Sequence, residues 1–112
     1  MDGLYDSIRI TSVAQTILES FGFNNSDMDK SNDILISLIN KKTNGRGVDR
    51  IFMFNPDAVA LWLFQKYTTL FSRTLLCSDV AVPMLSVMPS VTPVCFASMY
   101  TGVMPEVHGI KA

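Results

Sequence analysis

The residue best placed to do chemistry is Thr92, in the run Ser90-Val91-Thr92-Pro93-Val94-Cys95. A threonine directly before proline, at the head of an apolar run, reads as the N-cap of a helix beginning at Pro93. Backbone N–H groups and the helix dipole gather there, so an anion such as phosphate is favoured beside the hydroxyl. Coordination to a metal would help the hydroxyl lose its proton and become a nucleophile. As scaffold alone, Thr92 would be an ordinary helix cap. Asp57 is the second candidate. It follows the apolar run of residues 50–54 and the pair Asn55-Pro56. Its hard carboxylate oxygens suit Zn²⁺ or another divalent ion, although an acidic residue in a helix's first turn is also favoured by the dipole alone. Cys95, on an apolar helix face, reads as a packed core residue.

Other chemistry is poorly supplied. Asp27, Asp29 and Asp33 lack the glycine and closing glutamate of a calcium loop and read as a solvated face. Residues 44–47 are too short for a phosphate loop. Nine basic and ten acidic residues give a net charge of −1, with the basic ones scattered, so no nucleic-acid surface is expected. Cys77 and Cys95 are too few for a disulfide framework. The N-terminal residues lack the basic and apolar regions of a signal peptide. The longest uncharged stretch, residues 80–101, is broken by Pro83, Pro89 and Pro93, so no membrane span is expected. A cytoplasmic setting follows as the expectation.

The elements around the candidates come next. Ile10, Val13, Ala14, Ile17, Leu18 and Phe21 recur at helical spacing, with Thr11 or Ser12 to cap the start and Gly22 to end it. Polar residues 24–33 make a connection. Ile34, Leu35, Leu38 and Ile39 mark a second helix that stops near Asn44-Gly45. Residues 50–54 read as a buried strand. Asn55 and Pro56 then cap a helix running to about Tyr67, in which Trp62 and Phe64 are expected to be buried on both sides. Residues 75–82 and 84–87 could each hold a short strand. The helix after Thr92 closes at Gly102, and residues 103–112 read as loop. Residues 1–45 are thus helical and 48–112 repeat a strand, turn and helix theme. The expected class is α/β, with functional groups at the carboxyl ends of strands.

The wider segment carries more than its single residues. It reads PSVTPVCFASMYTGVMPEVHGI, from Pro89 to Ile110. It resembles the alkaline phosphatase superfamily, in particular the type I phosphodiesterase/nucleotide pyrophosphatase branch. The points of likeness are the nucleophilic threonine at Thr92, the apolar helix, then Thr101, Gly102, Pro105, His108, Gly109 and Ile110. The resemblance implies a partial alkaline-phosphatase-like core, a short mostly parallel sheet with flanking helices. It implies Thr92 as nucleophile and metal ligand, and Asp57 as metal ligand after the first core strand. Two divalent ions, Zn²⁺ for preference, and a small-molecule phosphate ester as substrate are also implied. His108, the one histidine, falls in a part of the pattern that is mainly structural, and is not expected to bind metal. One departure stands out: nucleotide pyrophosphatases carry asparagine three positions after the nucleophile, where this chain has Cys95, a weak donor. Relatives also carry Asp-Gly where this chain has Asp57-Ala58. Residues 11–23 resemble a superfamily helix that usually lies late in the chain.

The resemblance also implies about six metal ligands, mostly Asp and His, more than this chain offers. The expectation is therefore a single domain, or the N-terminal portion of a larger one, inactive alone and prone to self-association through open sheet edges. A non-catalytic α/β module that kept the scaffold and lost the metal site is the alternative.

Overall fold

The computed structural model describes residues 8–57 and 59–110. Residues 1–7, Ala58 and residues 111–112, which the readings above include, lie outside the described residues. The elements are helix α1 (Ser12–Ser20), α2 (Asp33–Thr43), α3 (Leu61–Lys66), a 3-10 turn (Thr68–Phe71), α4 (Ser72–Leu76), α5 (Thr92–Thr101) and α6 (Pro105–His108). None is long and apolar enough to cross a membrane.

The expected α/β core with its short parallel sheet is overturned, because no strand forms among the described residues. Their one pairing is a parallel bridge between Arg9 and Leu85. The Ile10 N–H donates to the Leu85 carbonyl at 2.9 Å, and the Leu85 N–H to the Ile8 carbonyl at 2.9 Å. An apolar run becomes a strand only where a neighbouring backbone satisfies its N–H and C=O groups. Among the described residues, 50–54 have no such neighbour, and Phe52 and Phe54 are 90% and 87% exposed. The run 75–82 gives its first two residues to α4, and 84–87 keeps only the Leu85 bridge.

Two compact units divide the chain. The first takes the described residues up to Phe52 and from Met84 onward; the second is residues 53–83.

In the first unit α1 packs against α2 and α5, and α5 against α6. The buried side of α1 differs from the apolar stripe. Thr11, Ser12, Gln15, Thr16 and Ser20 are buried beside Ala14, while Val13, Ile17 and Leu18 are only half-buried and Phe21 is exposed. The hydroxyls of Ser12, Thr16 and Ser20 can go inside because each finds an acceptor on the backbone about one turn back; that of Thr11 meets no partner among the described residues. Ser12 donates to the Arg9 carbonyl at 2.6 Å, Thr16 to that of Ser12 at 2.7 Å, and Ser20 to that of Thr16 at 2.7 Å. Thr16 Oγ1 also accepts the Asn32 N–H at 2.9 Å, which draws the start of α2 onto α1.

Helix ends are where local sequence decides most. Gly22, at φ 89°, closes α1 by bonding the Glu19 carbonyl at 3.0 Å, and the Phe23 N–H reaches the Leu18 carbonyl at 2.9 Å. That is the paired bond pattern of a left-handed helix stop. The start of α1 lacks the expected side-chain cap: Thr11 takes the cap position in helical geometry, with no bond from its hydroxyl to the first turn. Asn32 does cap α2, its Oδ1 accepting the Ile34 and Leu35 N–H groups at 3.0 and 3.2 Å. Asn44, left-handed at φ 53°, and Gly45 end that helix.

In the second unit the helix expected from Pro56 begins later. Its ladder opens with the Phe64 N–H on the Ala60 carbonyl at 3.1 Å, so α3 has only six residues, and Asn55-Pro56-Asp57 precede it in turn and irregular backbone. Trp62 is 64% exposed rather than enclosed. The rings of Phe64 and Phe71 meet at 5.1 Å across the 3-10 turn.

Gly45 and Gly47 share a positive φ, 77° and 78°, but differ in space. A Cβ on Gly45 would meet nothing, whereas one on Gly47 would stand 2.8 Å from the Ser20 carbonyl oxygen, which accepts the Val48 N–H. Gly45→Ala should cost about 1 kcal/mol through backbone strain alone. Gly47→Ala should cost about 1–3 kcal/mol more, through the added overlap. Urea midpoints of the two variants check this; equal losses would remove the close approach from the account.

Candidate functional site

The backbone leading to Thr92 is fixed from behind. Leu85 is tied to residues 8 and 10 by the bridge, and Val87 is buried at 3% exposure. The Met88–Pro89 peptide is cis. Ser90 Oγ donates to the Val87 carbonyl at 2.8 Å and lies 2.7 Å from Ser86 Oγ, so hydroxyls fold this turn back on itself. Val91 is then extended, at φ −116° and ψ 154°, and takes the cap position. Thr92 is accordingly the first residue of α5 and Pro93 the second, one place later in the helix than the cap expected for Thr92. Pro93 lacks an N–H, so its early position leaves no donor unmet. The Cys95 N–H bonds the Val91 carbonyl at 2.9 Å and begins the helical ladder.

Along α5 one face goes inward. Val94 and Ser98, one turn apart, are both 0% exposed, while Thr92 is exposed and Cys95 half-buried. Phe96 and Tyr100 stack edge to face at 5.9 Å. Thr92 is thus presented outward from a helix held by the opposite face. Cys95 packs partly inside, in keeping with its reading as a core residue.

The tail beyond α5 is more ordered than a loop. Gly102, buried and left-handed at φ 72°, closes α5 with its N–H on the Ser98 carbonyl at 3.0 Å. Pro105 is buried at the start of α6, and Gly109, at φ 79°, ends that helix after His108. His108 Nε2 lies 2.9 Å from Ser98 Oγ, and its Nδ1 accepts the Ile110 N–H at 3.0 Å. Both ring nitrogens are engaged within the protein, which fits the structural part expected of His108. Sequence reading did not find Ser98 as its partner. The available signal was a small hydroxyl residue one turn after a buried Val94, in an otherwise apolar helix.

Asp57 is exposed in a turn of the second unit. Thr92 belongs to the first unit, and within it the structure brings Ser98 and His108 together. Asp57 and Thr92 offer the hard oxygen donors that a divalent ion takes. Among the described residues no group of three or more His, Cys, Asp or Glu side chains could hold a metal ion.

The family model described as type I phosphodiesterase / nucleotide pyrophosphatase matches residues 52–112, more than half of the chain. The chain belongs to that family, a family of phosphodiesterase- and pyrophosphatase-like hydrolases that is in general metal-dependent. The match takes in Asp57, Thr92 and the whole tail from Thr101 to Ile110. No curated protein and no solved structure matches the chain.

Gly102 gives a direct test of how the tail is built. A Cβ there would lie 3.0 and 3.1 Å from Met28 Cγ and Cβ and 3.2 Å from Ala14 Cβ. Gly102→Ala combines that crowding with a left-handed backbone and should lose about 2–4 kcal/mol of stability. Gly109→Ala, where a Cβ meets nothing, should lose about 1 kcal/mol. Thermal or urea unfolding of the pair measures the difference.

Proposed function

We propose that this chain carries the nucleophile segment of a metal-dependent phosphoester hydrolase, with Thr92 as nucleophile and Asp57 as a metal ligand. The observation that supports it is the family match, which spans both residues, joined to an exposed Thr92 in the first turn of a ten-residue helix. The Thr92 hydroxyl oxygen would attack phosphorus in line as the ester oxygen leaves. Water would then cleave the phosphothreonine and restore the hydroxyl. Divalent ions, two Zn²⁺ in this reading, would supply Lewis-acid stabilisation of the charge on the phosphoryl oxygens. The first turn of α5 contributes its dipole to the same end. The substrate is a small-molecule phosphate ester, and the setting is cytoplasmic.

The chain by itself should not turn over such esters, because Asp57 and Thr92 are two ligands where the proposed pair of ions needs several. With bis-p-nitrophenyl phosphate and added Zn²⁺ we expect no release of p-nitrophenol above the metal-only rate. Turnover by the chain that vanished in Thr92→Ala would refute the inactivity and support the nucleophile. Turnover unaffected by Thr92→Ala would refute the nucleophile as well.

We also propose that the chain self-associates. Sheet edges are not the driving feature, since no sheet forms among the described residues. Exposed apolar side chains drive it: Phe52, Phe54, Leu70, Leu76 and Met88 are each at least 79% exposed. Burying apolar area releases about 25 cal/mol per Å², so a few such side chains per partner give a useful driving force. Light scattering should show a mass that rises with concentration; a constant monomer mass at high concentration would contradict it.

A further inference from the structure

We infer that His108 is a positioning residue: held as the neutral Nε2–H tautomer, it clamps the middle of α5 to the turn that follows α6 and thereby fixes the helix that carries Thr92. The tautomer follows from the donors around the ring. A backbone N–H can only donate, and the Ile110 N–H points at Nδ1 at 3.0 Å. Nδ1 must therefore hold a lone pair, which leaves the single proton of a neutral imidazole on Nε2. That N–H then donates to Ser98 Oγ at 2.9 Å. The imidazolium form would place two N–H groups head to head at Nδ1, and the other neutral tautomer would do the same, so this geometry accepts one form only.

The acceptor makes the clamp effective. Ser98 is 0% exposed, on the same inward face as Val94, which is also 0% exposed. The hydrogen bond is thus anchored in the packed side of α5 rather than on its surface. Pro105 is buried at the start of α6, and Gly109 turns the chain at φ 79° so that Ile110 returns to the ring. The tail from Pro105 to Ile110 is therefore a short helix and turn, packed on α5 and tied to it by the His108 side chain. Ser98 lies six residues from Thr92, about 9 Å along the helix axis. His108 accordingly acts on Thr92 through the orientation of α5 and not by touching the reacting groups. With both nitrogens engaged, it keeps no lone pair for a metal. The functional part of this inference rests on the reading of Thr92 as nucleophile; the clamp itself does not.

The test uses the full chain, labelled with ¹⁵N, and needs no turnover, so it can fail or succeed apart from the hydrolase reading. Long-range proton–nitrogen spectra should show His108 with Nδ1 unprotonated and Nε2 protonated, and adding Zn²⁺ alone should leave those signals in place. His108→Ala should shift the Thr92 and Val94 amide signals while leaving those of α2 unmoved. His108→Gln, which keeps one N–H donor and one oxygen acceptor, should restore them in large part. If His108→Ala fails to fold, Ser98→Ala carries the comparison: it should move the His108 Nε2 and Thr92 signals together. A protonated Nδ1, a Zn²⁺-dependent shift at His108, or a Thr92 signal indifferent to both substitutions would overturn the inference.

Discussion

The first unit depends on a close approach at one residue without a side chain. Gly102 ends α5, and its own backbone does three things at once. Its φ of 72° turns the chain, its N–H closes the last turn on Ser98, and its carbonyl accepts the Asp29 N–H at 2.8 Å. The bare Cα lets Met28 and Ala14 come to where a Cβ would be crowded. Through Ala14 the contact reaches α1, and through Asp29 it reaches the connection that leads into α2. A side chain there would push α5 away from α1, against which it packs. The orientation in which Thr92 faces outward thus rests on a position more than a dozen ångströms away along the helix, by about 1.5 Å of rise per residue.

Punctuation by glycine, asparagine and proline was the most legible part of the chain. Gly22, Asn44, Gly45, Pro93 and Gly102 act locally, through φ and through bonds to groups within a few residues, so their positions mark helix ends with little outside help. The strands were not legible in the same way. Residues 50–54 have strand composition, yet a strand is made by a partner's backbone, and no sequence window contains that partner. The buried side of α1 was misleading for a related reason. The apolar stripe looked like the core face, but Ser12, Thr16 and Ser20 satisfy their own hydroxyls on the helix backbone and so lose little by going inside. The Ser20 carbonyl then accepts the Val48 N–H, an approach that Gly47 permits by lacking a Cβ.

The candidate site was legible as a segment and not as a constellation. Spacing between Thr92, Thr101 and His108 pointed to the family because those residues lie in one stretch, and the match over residues 52–112 covers all of it. Asp57 was found by its place after an apolar run. That run is irregular rather than a strand, so Asp57 does not stand at the end of one, although it lies within the residues that the family match spans. Ser98 was missed because its role exists only once α6 has folded back.

The first turn of α5 limits what could be bound there. Helix N-termini hold anions through N–H groups left over by the ladder. Pro93 has none, and that of Cys95 is already given to the Val91 carbonyl. The side chain at position 95, which would be asparagine in nucleotide pyrophosphatases, is a half-buried thiol and a weak donor. A phosphoryl group beside Thr92 would therefore find less hydrogen bonding from this turn than the family pattern supplies, and its remaining charge would have to be met by other groups. In the proposed role of Thr92, discrimination between ester classes would draw on residues away from α5, since neither Pro93 nor the side chain at position 95 supplies a strong donor to this turn.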